Sequence, residues 1–220
     1  MNTIIIKKVT LLPAPEPPFV GTRITVKVPS SPVGDLTYKI FRAIKANGSS
    51  DMTIDWGDGT SEAATTILNK GHTYEVPGVY EVRISDDVAN LYIGNSGGSD
   101  TYDNIYAPSV LSFSTNAQKL TKLGCFRRCC NMLGFEMRES SVEEIGECAF
   151  VDCAALSGDI YLPRIHDLPF TTRQQFDGCT GGITRIHFSA EHENAIRNSA
   201  AFLADPTLGT GVPDICMFDL

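Results

Sequence analysis

Phe126 and Cys129, Phe150 and Cys153, and Phe176 and Cys179 are three copies of one pattern, an aromatic residue followed three positions later by a cysteine. The copies recur after 24 and then 26 residues, and the cysteines keep the same intervals. A unit copied at near-constant period cannot bury its apolar face alone and must bury it against the next copy. The expected product is a stacked solenoid, which presents a long surface rather than a pocket. That favours recognition over catalysis. Phe and Cys three apart share one face of a helical turn, and Cys is among the residue types most often buried, so both are expected to point into the core as ladders. Buried structural thiols are the expected state of Cys129, Cys153 and Cys179, with disulfides or a bound metal as alternatives. The chain holds 7 cysteines. An odd number cannot all pair within one chain, and adjacent Cys129 and Cys130 without a C-x-x-C partner make a poor zinc pattern.

The front half follows another rule. Thr22, Ile24, Val26 and Val28 begin an alternation of strand formers with polar residues that ends at Pro29-Ser30-Ser31-Pro32. Leu36 to Ala43 and Met52 to Trp56 repeat it, and Tyr80, Val82 and Ile84 face one side of a strand while Glu81 and Arg83 face the other. Short alternating strands punctuated by turn formers predict an antiparallel sandwich over residues 20–93. Before it, the four prolines of Leu12 to Pro18 predict an extended arm over residues 1–19. After it, the Gly/Ser-rich run from Gly94 to Asp100 breaks any period, and the stretch from Val88 to Asn116 is read as the exit strand followed by irregular first turns of the solenoid.

Two stretches carry family resemblances. Ile54-Asp55-Trp56-Gly57-Asp58-Gly59-Thr60, followed by His72-Thr73-Tyr74 and Gly78-Val79-Tyr80-Glu81-Val82, resembles the PKD (polycystic kidney disease) domain, an immunoglobulin-like β-sandwich. The residues suit that fold: Ile54 and Trp56 enter one core face, Asp58 can bond its own backbone, and Gly57 and Gly59 permit positive φ. Such modules are usually noncatalytic spacers or binding units of surface and secreted proteins. Ile145-Gly146-Glu147-Cys148-Ala149-Phe150-Val151-Asp152-Cys153-Ala154-Ala155-Leu156, ending in Ile160-Tyr161-Leu162-Pro163, resembles the BspA-type leucine-rich repeat. The copies around Phe126 and around Arg173 to Cys179 are degenerate, and the three together span residues 105–190. This family implies adhesion at bacterial surfaces.

Other chemistries find less footing. Asp55 and Asp58 are two oxygen donors where a Ca²⁺ site takes six or more, so a self-bonded turn is the expected reading. His72 as a general base competes with a backbone-bonded histidine opening a strand. Cys148 or Cys130 with His166 or His187 would make a thiolate and base, but no local nucleophile signature accompanies them. Asp177-Gly178 and Thr180-Gly181-Gly182 are turn formers, with no Gly-Lys-Ser/Thr to make a phosphate loop. The formal charge of -8 argues against nucleic acid as a partner. No apolar run is long enough to cross a membrane, and Ile4-Ile5-Ile6 precedes Lys7-Lys8, the reverse of a signal peptide's order. Ser189 as an N-cap, with Glu191 and Glu193 behind it, predicts a helix to Ala201, and Ile215 to Phe218 predicts a last strand. Helix and strand would cap the solenoid's open end, with His166, His187 and His192 as surface or rung residues.

The sequence thus predicts a mainly β protein: a Pro-rich arm at 1–19, an immunoglobulin-like (PKD-like) β-sandwich at 20–93, and a short leucine-rich-repeat solenoid with a C-terminal capping helix and strand at 94–220. The expected function is noncatalytic recognition of a protein or glycan at a bacterial cell surface. A receptor-binding or structural part of a phage or prophage tail is the alternative, since it needs no export signal. A hydrolase is the third class. No catalytic, cofactor-binding or metal-binding residue is assigned, no cofactor is expected, and oligomeric state and binding surface stay open. Tyr102, Tyr106 and Tyr161 are the aromatic candidates for that surface.

Overall fold

The computed structural model describes residues 18–28, 36–93, 106–124, 126–169 and 174–220, and the chain is mainly β. The Pro-rich arm up to residue 17, Tyr102, Ile105, Cys125 and Arg173 lie outside the described residues. Seven strands come first: β1 (Gly21–Val28), β2 (Thr37–Lys45), β3 (Met52–Asp55), β4 (Ser61–Ala64), β5 (Thr66–Thr73), β6 (Gly78–Ser85) and β7 (Val88–Tyr92). The alternation in β1 is realised, with Ile24, Val26 and Val28 buried while Lys27 faces out. In β6, Val82 and Ile84 are fully buried and Tyr80 only half so. Each such aliphatic side chain contributes about 1.5–3 kcal/mol by leaving water. The strands pair antiparallel as β1-β6-β3-β4 and as β7-β2-β5. Buried residues of both sheets, among them Ile24, Tyr38, Trp56, Tyr74 and Leu91, belong to one hydrophobic core.

Neither sheet ends where the sandwich was expected to. β8 (Val110–Thr115) returns to pair antiparallel with β1, placing Phe113 opposite Ile24. β9 (Lys122–Leu123) pairs parallel with β7, and from there every new strand is parallel. β10 (Gly134–Glu136) adds to β8, with Phe135 beside Phe113, and β11 (Glu144–Ile145) adds to β9. The two sheets therefore run β10-β8-β1-β6-β3-β4 and β11-β9-β7-β2-β5, crossing residue 93 without a break. A third, wholly parallel sheet follows: β12 (Gly158–Leu162), β13 (Ile183–Phe188) and β14 (Cys216–Phe218), with Leu162, Phe188 and Phe218 aligned across it. One core spans all three sheets.

The Phe/Cys units sit on turns between these strands, not on helical turns as their spacing suggested. The amides of Cys129, Cys153 and Cys179 donate to the carbonyls of Phe126, Phe150 and Phe176, closing three four-residue turns. The third residue of each is left-handed: Arg128 at φ 66°, Asp152 at φ 60° and Gly178 at φ 78°. A right-handed helix admits no such residue, whereas a tight turn of the type II family requires one. Phe126, Phe150 and Phe176 are fully buried, and their rings stack at 5.6 and 4.9 Å, each pair within 3° of parallel. The amide of Phe126 donates to Ala149, that of Phe150 to Gln175 and that of Phe176 to Leu208, so each turn is hydrogen-bonded to the one after it. The cysteines lock the same stack, because the Cys153 thiol donates to Phe126 O at 3.2 Å and the Cys179 thiol to Phe150 O at 3.0 Å. Gly178 also answers a packing demand, since a Cβ there would lie 2.5 Å from Asp152 Oδ1.

The expected C-terminal helix is broken in two: α1 (Glu193–Arg197) and α2 (Ala200–Ala204), preceded by a 3-10 turn at Ala190–His192. Ser189 stands at the start without capping it, its hydroxyl turned to the Leu220 carbonyl. The cap is Ser199, whose Oγ accepts from Phe202 N while donating to Ile196 O, so it ends one helix and begins the next. Arg197 lies over the Phe218 ring at 4.7 Å, so α1 meets the last strand. Burial beside it pushes the Cys216 thiol up to about 12, with Arg197 acting in the opposite sense. No helix among the described residues is long and apolar enough to cross a membrane.

Candidate functional site

The residues singled out in the aspartate turn are engaged with one another. Asp55 Oδ1 accepts the Gly57 amide, and Asp58 Oδ1 accepts both the amide and the hydroxyl of Thr60. Gly57 is required there: its φ is +81°, and a Cβ would meet Glu81 O at 2.6 Å. Asp58 Oδ2 lies 2.7 Å from His72 Nε2, and the imidazole stacks on Trp56 at 5.0 Å with Tyr74 edge-on at 4.6 Å. Tyr74 returns its hydroxyl to Trp56 O, and Trp56 Nε1 donates to Glu62. Burial opposes ionisation of Asp58, but the Thr60 and His72 contacts outweigh it and hold the carboxyl at about 2. His72 thus directs Nε2 at Asp58 and gives one ring face to Trp56, which makes it a strut between β5 and the turn after β3.

The histidines nominated as bases also have other company. His187 Nδ1 lies 2.8 Å from Asp219 Oδ1, its Nε2 is 3.6 Å from Asp159 Oδ2, and its ring stacks on Tyr161 at 4.5 Å. His166 faces His192, the ring centroids 5.8 Å apart. Cys129, Cys130, Cys148, Cys153, Cys179 and Cys216 are all free thiols. Among the described residues, no cluster of three or more His, Cys, Asp or Glu is arranged to hold a metal. Of the tyrosines, Tyr106 is half-buried against the core with Lys39 over its ring, and Tyr161 has Arg138 at 3.3 Å from its ring centre as well as its stack with His187.

Two adjoining hollows lie elsewhere, beside the ends of parallel strands. In a parallel layer the loops after the strands gather at one edge. Arg138 follows β10, Pro163 and Arg164 follow β12, Ser189 and His192 follow β13, and Leu220 follows β14. Together with Glu143, His166 and Glu191 they line a crevice of about 610 Å³. Glu143 and His166 also border a second hollow of about 480 Å³ that reaches Tyr92, Lys122, Glu147 and Asp167. The two hollows share Glu143 and His166 and so form one trough, lined by polar and apolar groups in similar measure. Charges of both signs line it: Arg138, Arg164, Glu143 and Glu191 in the first hollow, and Lys122, Glu143, Glu144, Glu147 and Asp167 in the second. Lys122, in the second, is paired at 2.7 Å with Glu144, and that hydrogen bond raises its pKa above the ordinary lysine value.

His166 and His192 were read from the sequence as surface residues, and both line the trough. Arg138, Arg164, Glu143, Ser189 and Glu191 were not foreseen as members of a site. Their only signal was position, a polar residue just past each apolar strand, and it becomes legible once the strand register is known. Comparison with family models, with characterised proteins and with solved structures gives no significant match for this chain.

Proposed function

We propose that the chain is a noncatalytic recognition protein of a bacterial surface, in which a PKD-like sandwich carries BspA-type leucine-rich turns and a protein or glycan partner binds in the trough. The trough supports this reading most: it is an open concavity built by residues from several successive strands, with hydrogen-bonding groups directed into it. The PKD-like and leucine-rich readings rest on the motifs, on the bonding within the aspartate turn, and on the stacked Phe/Cys turns. The noncatalytic reading draws on the sequence, which sets no nucleophile signature beside His72 or His187.

Binding of the purified, labelled chain to an array of glycans and matrix proteins, with the solution mass measured on the same sample, tests this. Specific binding by a monomer is the expected result. A defined oligomer with no binding would replace it with the phage-particle reading.

A further inference from the structure

We propose that the crevice beyond β10, β12 and β13 recognises a saccharide bearing a single carboxylate. This rests on the recognition reading above and names its ligand class. The chain carries a formal charge of -8, so most of its surface repels an anion. The crevice is less negative than the chain as a whole, because Arg138 and Arg164 balance Glu143 and Glu191 there. Arg138 is held in place, with its guanidinium 3.3 Å over the Tyr161 ring and Nε 3.3 Å from Glu136. A cation fixed before binding loses little freedom on binding. Arg164 is exposed and makes no ion pair among the described residues, so its fork is open to a ligand. Guanidinium matches a carboxylate through two parallel hydrogen bonds.

The remaining lining decides between anions. Glu143 and Glu191 stand in the same crevice, and Glu191 lies 3.5 Å from His192. These carboxylates would repel phosphate or a densely sulfated polymer, yet they accept hydrogen bonds from sugar hydroxyls. Ser189, whose hydroxyl donates to Leu220 O, can accept from a sugar hydroxyl, while Pro163 and Leu220 supply an apolar flank for the CH-rich face of a pyranose. One negative charge among many hydroxyls is the chemistry that satisfies all of them together.

The test is isothermal titration of the whole chain with 3′-sialyllactose, with a glucuronic-acid-terminated disaccharide, with lactose and with 3′-sulfolactose. At least one carboxylate sugar should bind, and the comparison of the two says whether a sialic or a uronic acid is preferred. Lactose should bind at least 10-fold more weakly, since a charge-assisted pair contributes about 1.5–3 kcal/mol, and 3′-sulfolactose, which carries the same single charge on a tetrahedral group, should bind more weakly than the planar carboxylate. Arg164→Ala should weaken the carboxylate sugar about 10-fold or more, with partial recovery in Arg164→Lys, and Lys27→Ala, exposed on β1 and outside both hollows, should leave it unchanged. Equal binding of lactose or of the sulfated sugar, or indifference to Arg164→Ala, would overturn the inference. If none of the sugars binds while an array finds another ligand, this inference fails and the recognition reading stands. If the array also finds nothing, both fail.

Discussion

Replacing Phe150 by leucine removes the middle ring of the stack while leaving an apolar side chain of similar length. The ring meets three others: Phe126 at 5.6 Å, Phe176 at 4.9 Å and, edge-on, Phe135 at 4.8 Å. Aromatic pairs contribute about 0.5–1.5 kcal/mol each beyond area burial, so three together set a floor of about 1.5 kcal/mol. The site is fully buried, and the flat slot left by the ring fits a branched side chain poorly, which brings the expected loss to about 2–3 kcal/mol. For a chain of this size each kcal/mol lowers Tm by about 2–4 °C, so thermal unfolding followed by far-UV circular dichroism should shift down by about 4–12 °C. Phe202→Leu is the control. Phe202 is half-buried on α2 with Arg197 5.6 Å from its ring, and its loss should cost under about 1 kcal/mol. A Phe150→Leu shift below about 2 °C, or no larger than that of Phe202→Leu, would refute the packing argument.

Three further outcomes follow from single contacts. Gly178→Ala forces a side chain into a left-handed turn against Asp152, and should destabilise by about 1–2 kcal/mol in urea denaturation. Ser199→Ala should cost about 1 kcal/mol through the lost cap, and Ser189→Ala only a few tenths, which the same denaturation series compares directly. Asp58 has a folded pKa of about 2, below the ordinary value of 3.8, so its contribution is present above pH 4 and is lost as pH falls from about 4 towards 2. Asp58→Asn should therefore flatten the acid limb of the stability curve in that window.

Local chemistry explains which parts of this structure could be read from sequence. The alternation in β1 and β6 and the hydrogen bonds of the Asp55 to Thr60 turn arise between residues close in the chain, and all were legible. The Phe/Cys interval forecast the ladder but not its backbone. Arg128 and Asp152 accept left-handed conformations that their side chains do not advertise, and only Gly178 hinted at the turn. Pairing of β8 with β1 joins residues about 90 positions apart, as in Ile24 with Phe113, and no local pattern encodes it. The same holds for the crevice, whose residues become neighbours only through the parallel register of β12 with β13 and of β13 with β14. The break at Ser199 escaped notice because apolar and acidic residues flank it on both sides in a helical rhythm, while its hydroxyl competes for the backbone.

The account depends most on the two antiparallel sheets running on into the stacked parallel turns as one body with one core. The chain has a single tryptophan, and Trp56 is buried in the antiparallel part, far along the chain from Phe150. Urea unfolding of Phe150→Leu should be followed at once by Trp56 fluorescence and by far-UV circular dichroism. If the body is continuous, both signals shift together to a lower midpoint in a single transition. A Trp56 transition that stays at the wild-type midpoint while the circular dichroism splits in two would contradict it.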